Sequence, residues 1–448
     1  MTQAHHISRR TALQLGAAAA ALPLAHIRTT GAAGTLKIAL GSHLTPGADT
    51  ALQKLIEQWA TQANTQVQID FLSGTNRQLF LVAAAEAQAR SGHDVMHMGY
   101  SDPVTYAELL EPVDDVVGRL ERKYGSVNET AAHTGKVEGR WAAVPTCILS
   151  QVYPCVGRID IFHQHVGMDL QEIFPAKSEM GPGYDQWTWE AFLRAAERCA
   201  KAGVPFGLPI SACTDAQAWL GMLLRSYGAE LIDAKGNVTV NSDAVRGVLE
   251  YLKRLSPYLG SDVYSWDNVS NNRALAAGRS ALIVNPTSAW AGAVKDQPQV
   301  GSQCWHFPPP AGPRGRFTGY FPFFLGVWSF SPNKGTAKEL IEWLSQREQV
   351  ERICTADRGD DIPPFLSMSD FRVWEEEGPP KGTLANYPIK PGHHASPTLP
   401  TYPAPLDIIA PLNSRFILPN LAAKVTHGGQ SVEQAISWAQ GELESLRR

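Results

Sequence analysis

The chain has 448 residues, of which 44% are hydrophobic and 18% charged, and its formal net charge is −4. Disordered, coiled-coil and nucleic-acid-coating chains need denser charge, so composition excludes them and leaves a globular protein of two or three domains. No global positive field exists to hold a phosphate backbone, and no nucleic-acid partner is expected.

The first residues read as an address. Ser8-Arg9-Arg10-Thr11-Ala12-Leu13 resembles the twin-arginine export motif and runs into an apolar stretch from Ala12 to Leu24. That stretch is shorter than the roughly 20 residues of a membrane-spanning helix and suits the core of a signal peptide. Residues 1–33 are therefore expected to be a twin-arginine signal peptide, with small residues for cleavage at Ala25 and Ala32-Ala33. The mature chain is expected in the periplasm. No later segment is long and apolar enough to span a membrane.

From Thr35 strands and helices alternate. Leu36 to Leu40 reads as a strand; Leu52, Leu55, Ile56 and Trp59 then share one helix face. Val67 to Phe71 alternates as a second strand, residues 76–90 form a helix, and Asp94 to Met98 is a third strand. This is the pattern of a parallel α/β sheet, whose ligands bind beyond the carboxyl ends of the strands. Those ends are Ser42-His43, Ser73-Gly74 and Tyr100-Ser101-Asp102. Further on, Trp141 to Val144 and Val152 to Phe162 read as extended. Thr188 caps a helix that Gly203 stops, and another helix follows Ser242. Ser280 to Val284 and Phe323 to Phe330 are β-like, Ala337 to Leu344 is helical, and Ser431-x-x-Gln434 is a capping box. Twelve prolines between Asp357 and Pro419 exclude long helices there, and the segment reads as ordered loops over a core.

The six cysteines, Cys147, Cys155, Cys199, Cys213, Cys304 and Cys354, form no C-x-x-C pair, so zinc and thioredoxin-like readings have no support. Export permits disulfides, and Cys147 with Cys155 is the nearest pair; small buried thiols are the equal alternative. His5-His6 and His393-His394 lack further ligands at metal spacing, and neither a metal nor a cofactor is expected. The nucleophile elbow, zinc helix, phosphate loop and dinucleotide turn are all missing, which favours binding over catalysis.

The order of several segments resembles a family. Gly139-Arg140-Trp141-Ala142-Ala143-Val144-Pro145 followed by Gln151-Val152-Tyr153, and Trp187-Thr188-Trp189-Glu190-Ala191-Phe192, are similar to segments of the extracellular solute-binding proteins of ABC importers, in their carbohydrate-type branch. So are Ala276-Ala277-Gly278-Arg279-Ser280-Ala281-Leu282 running on to Trp290, and Phe323 to Val327 before Ser331-Pro332-Asn333-Lys334. The chain departs from the pattern at Pro154-Cys155-Val156-Gly157 and in its longer prolyl region.

The resemblance implies an α/β, two-lobe periplasmic-binding-protein fold of the class II type. Each lobe would be a mixed sheet flanked by helices, with the ligand cleft between them. Residues 35–145 and 286–330 would form lobe one, and residues 146–285 and 331–448 lobe two. It further implies a monomer that captures a sugar or oligosaccharide by hinge closure and delivers it to an ABC permease at the inner membrane. A polyol, glycerol phosphate or polyamine is the alternative ligand. A secreted carbohydrate-active enzyme is the alternative of another class, because its two carboxylates leave no sequence motif.

A sugar needs flat aromatic platforms and hydrogen-bonding groups with little net charge. Tyr100, Trp219, Trp290, Tyr320 and Phe321 stand at expected strand ends or helix starts and are the candidate platforms. Ser42, His43, Asp102, Asn285 and Arg358 are the polar candidates. Each has a plainer reading: Trp219 as core, Asp102 as the cap of a helix at Pro103, His43 as an exposed loop residue.

Overall fold

The computed structural model describes residues 34–73, 78–175, 179–376, 396–399 and 401–446. The export signal, Gly74 and His393-His394 lie outside them. Among the described residues no helix is long and apolar enough to cross a membrane.

Three parallel strands open the fold: β1 (Leu36–Gly41), β2 (Val67–Leu72) and β3 (Val95–Met98), with β1 in the middle. The helix Ala48–Gln62 buries Leu52, Leu55, Ile56 and Trp59, the face its spacing predicts. Two long strands follow much later in the chain, β4 (Val144–Tyr153) and, after β5 (Cys155–Arg158), β6 (Leu282–Val284) and β7 (Cys304–Phe307), the strand β8 (Gly315–Val327). β8 runs antiparallel to β3 on one side and to β4 on the other, making the first sheet mixed. β5, β6 and β7 form a separate antiparallel sheet with β5 in the centre. A short strand, β9 (Ser396–Thr398), joins β8 near its start.

Two large apolar cores result. One gathers Leu36, Ile38, Trp59, Met96, Trp141, Trp328 and Leu340 around the first sheet. The other holds Trp187, Trp189, Phe192, Trp219, Phe307 and Leu421. β4 and β8 pass between them: Val152 and Tyr320 belong to the first core, Tyr153 and Phe321 to the second. The architecture is therefore the α/β, two-lobe arrangement expected, with a mixed sheet in the first lobe.

The cores redraw the expected boundaries. Residues 286–307 pack in the second lobe: Ala289, Trp290 and Cys304 form a small cluster with Val156 and Ile283 of its sheet. The helices Lys334–Leu344 and Arg347–Ala356 pack in the first lobe, not the second. The chain returns along β8, so the buried apolar residues from its end to Trp374 pack on the first sheet, and the described residues from Leu399 onward rejoin lobe two. In the prolyl region the helix Leu406–Ser414 contains Pro411 and Pro419 sits in the first turn of Ile417–Thr426. Both helices are short. Residues 159–162, expected extended, turn helical instead.

Candidate functional site

The first lobe supplies a rim. Because β1, β2 and β3 are parallel, their carboxyl ends emerge together, and Ser42, His43, Ser73 and Tyr100 line a cavity of about 420 Å³. Gly41 sits at the end of β1, where a Cβ would meet the Leu149 side chain at 2.5 Å and His97 Nδ1 at 3.2 Å. Only glycine lets the strand end pass so close beneath the cavity. His97 is buried below it: Nδ1 accepts the Gly41 N–H at 3.0 Å and Nε2–H donates to the Ile148 carbonyl at 3.1 Å. That pairing requires the neutral ring, and burial pushes its pKa down to about 3.

The crossing strands supply the floor. Their register slips between Phe321 and Phe323: Phe321 faces Gln151 but Phe323 faces Thr146. Residues 147–150 of β4 therefore loop out, with Leu149 at a positive φ of 56°. The Ser150 hydroxyl donates to the Thr146 carbonyl at 2.6 Å and accepts the Phe323 N–H at 2.8 Å, closing the bulge. Pro322, which has no N–H to give, falls where no partner faces it. The bulge turns Leu149, Gln151, Tyr153, Phe321 and Phe323 toward the cavity. Their rings meet edge to face, Tyr100 with Phe321 at 5.0 Å and Tyr153 with Phe321 at 5.3 Å.

The second lobe supplies polar groups. Asn268 Oδ1 accepts the Thr214 N–H at 2.9 Å, capping the helix Thr214–Tyr227 whose own N-cap position, Cys213, has no side-chain cap. Asp215, in that first turn, accepts from Asn271 Nδ2 at 2.9 Å, and the same amide donates to Asn285 Oδ1 at 3.0 Å. Burial pushes Asp215 up to about 7, against the pull of the Asn271 and Tyr153 hydrogen bonds. Thr214, Asp215, Asn268, Asn285 and Ser288 all line the cavity.

Asp360 holds the parts together. It accepts from the Gln151 side chain on the crossing strand, and from the Ser288 N–H (2.6 Å) and Thr287 hydroxyl (3.1 Å) of lobe two. Its neighbour Asp361 accepts the Leu149 N–H at 2.8 Å and meets His43 Nε2 at 3.1 Å, while His43 Nδ1 meets Asp49 at 2.7 Å. Burial pulls the His43 pKa down, but the Asp361 and Asp357 charges outweigh it and raise the pKa well above the ordinary value.

Of the ten residues singled out from the sequence, Ser42, His43, Tyr100, Asn285 and Phe321 come together on the cavity wall. The other five do not. Trp219 is fully buried in the second core, its Nε1–H donating to the Pro209 carbonyl at 2.7 Å. Trp290 is 5% exposed in the small lobe-two cluster, with the Arg358 guanidinium 5.5 Å from its ring. Tyr320, adjacent to Phe321, alternates into the first core. Asp102 is buried beneath the rim, where Oδ2 accepts the Gly99 N–H at 2.8 Å. Tyr153, Asp215, Gln151, Phe323 and Phe80 were not among the candidates. Tyr153 and Gln151 stood in the Gln151-Val152-Tyr153 segment, and Asp215 at a helix start; Phe80 carried no signal.

The arrangement suits a neutral, hydroxyl-rich solute with apolar faces: edge-packed rings on one side, Asn, Thr, Ser and carboxylate acceptors on the other. No lysine or arginine lines the cavity among the described residues. Comparison with known proteins agrees on the architecture. The family described as bacterial extracellular solute-binding protein matches residues 44–351. No curated protein matches the chain. Maltose-bound T. maritima MalE3 is 19% identical with a TM-score of 0.74, covering 92% of this chain and 100% of that one. A sugar transporter protein from Arthrobacter chlorophenolicus A6 with bound laminaribiose is 17% identical, TM-score 0.72, covering 92% and 99%. The GacH receptor of Streptomyces glaucescens GLA.O, solved unliganded and with acarbose, is 18% identical, TM-score 0.70, covering 93% and 98%.

Proposed function

Since the chain belongs to the bacterial extracellular solute-binding protein family, we propose that it is the periplasmic, sugar- or oligosaccharide-capturing component of an ABC importer. The observation that carries this reading is the cavity between the two cores, walled by Tyr100, Tyr153 and Phe321 and by Asp215, Asn268 and Asn285. Aromatic edges and faces take the C–H surfaces of a sugar, and the uncharged amides and buried carboxylate take its hydroxyls. A cavity of about 420 Å³ falls in the usual range of small-molecule sites. With no lysine or arginine in the lining among the described residues, and with the His43 ring already held between Asp49 and Asp361, a phosphorylated solute is disfavoured.

The mechanism is a change of population. A solute that touches both lobes binds the closed arrangement better than the open one and shifts the balance by that difference. The closed form then docks on the permease, and the solute leaves chemically unchanged. A thermal-shift screen against mono- and oligosaccharides tests the reading. A matching solute at 100 times its dissociation constant adds about 2.7 kcal/mol and is recovered intact by chromatography. Consumption of the sugar, or no response across the panel, would overturn it.

A further inference from the structure

Beneath the rim lies a group of side chains of which only His43 also reaches the cavity wall. His43 comes from the loop after β1, Asp357 and Asp361 from the segment after the helix Arg347–Ala356, and one ligand atom from each lies within 4.8 Å of the others. All three are shielded: the side chains of His43 and Asp361 are 1% and 0% exposed, and Asp357 is 1% exposed. Each of the first two is oriented from behind. Asp49 Oδ1 holds His43 Nδ1 at 2.7 Å, leaving Nε2 to point inward, and the Leu149 N–H occupies Asp361 Oδ1 at 2.8 Å, leaving Oδ2 inward. A carboxylate behind a histidine ring is the usual second layer of a metal-binding imidazole.

The independent observation is Asp357. Both of its oxygens are buried and meet no donor at hydrogen-bonding geometry, although the buried Thr45 hydroxyl lies beside them and is itself without a well-formed partner. An unpaired buried carboxylate is costly, and one imidazole serves the carboxylates of Asp49, Asp357 and Asp361 together. No lysine or arginine forms an ion pair with them among the described residues.

We propose that His43, Asp357 and Asp361 form a binding site for one divalent transition-metal ion, with Zn²⁺ or Mn²⁺ as the matching class. One imidazole nitrogen and two carboxylates are a donor set these ions accept, whereas Ca²⁺ and Mg²⁺ prefer oxygen alone. Two Zn²⁺ ligands at about 2.1 Å in a tetrahedron stand roughly 3.4 Å apart. The His43 Nε2 to Asp361 Oδ2 distance of 3.1 Å needs only a small opening to reach that. The ion would pin the Ser42–Thr45 loop to the segment whose Asp360 grips lobe two, giving the rim a fixed position.

The experiment is isothermal titration of chelator-treated, solute-free protein with Zn²⁺, Mn²⁺ and Ca²⁺, so it stands apart from the question of which solute is carried. One equivalent of Zn²⁺ or Mn²⁺ is expected to bind, with Ca²⁺ at least tenfold weaker. Asp357→Asn and Asp361→Asn should each weaken binding tenfold or more while circular dichroism stays unchanged. A variant with His5, His6, His393 and His394 replaced by alanine should bind as the parent does. No saturable binding, or binding lost only in that four-histidine variant, would overturn the site.

Discussion

Asp102 shows how a single side chain can serve the rim without touching the cavity. Its carboxylate is buried, accepts the Gly99 N–H, and is pushed by burial from its ordinary 3.8 to about 7. Its neighbours do not compensate: Tyr100 and Tyr106 are held neutral, Tyr106 with its pKa raised to about 12, and Asp407 on the helix packed nearby is exposed. In the folded protein the carboxyl therefore keeps its proton to a higher pH than in the unfolded chain. The stability linked to it is complete below about pH 4 and is lost as pH rises through 7. Asparagine can accept the same N–H and has no proton to lose. Between pH 5 and pH 8, Asp102→Asn should lose less stability than the parent by on the order of 2 to 3 kcal/mol, read from urea unfolding at the two pH values. An equal pH dependence in both proteins would refute this account. Asp215 plays the opposite part, facing the cavity as an acceptor. Asp215→Asn should weaken solute binding roughly 10- to 100-fold at pH 8, the worth of a hydrogen bond to a charged group. Residues at strand ends were legible because a parallel sheet delivers them to one rim, as Ser42, His43 and Tyr100 show. Trp219 and Trp290 were not, because a tryptophan on a helix near a cleft has the same sequence pattern whether its ring faces solvent or core.

Elements with local signals could be read directly. Thr188 accepts the Ala191 N–H, Ser242 accepts the Val245 N–H, and Ser431 with Gln434 makes both hydrogen bonds of a capping box. Each of these depends on residues three apart, so the sequence carries it entire. Ser431→Ala should cost about 1 kcal/mol in unfolding free energy, and Ser431→Thr should keep most of it; no loss in the alanine variant would show that the box contributes nothing. β8 was half hidden. Reading from Phe323 missed its first eight residues because Pro322 and Gly319 look like strand breakers. Pro322 is tolerated only because the bulge of residues 147–150 removes the partner that would have needed its N–H. That compensation lies more than 170 positions away, and no local pattern announces it. The same separation hid the boundaries of the lobes, since the crossing made by β8 decides where the helices after it must pack.

At the scale of the molecule, two cores that close separately make a pair of rigid bodies, and what joins them sets how they move. β4 and β8 run through both, and Phe323 packs against each core. Across this junction Asp360 takes three hydrogen bonds, from Gln151, Thr287 and Ser288, on a segment whose other carboxylates reach the His43 loop. Asp360→Ala would leave the Thr287 hydroxyl and the Ser288 N–H buried without an acceptor, and the half-buried Gln151 amide without this partner. Each such loss costs about 1–3 kcal/mol, and the adjoining backbone at Ser288 and Gln151 forms part of the cavity wall. The two cores themselves lose no apolar contact. The variant should therefore stay folded, with tryptophan emission like the parent's, yet bind its solute at least tenfold more weakly. In small-angle scattering the parent should contract when saturated with solute, because only a solute touching both lobes favours the closed state. The alanine variant should contract less at equal saturation. If affinity and contraction both match the parent, Asp360 is merely a local tie and the lobes are coupled through the strands alone.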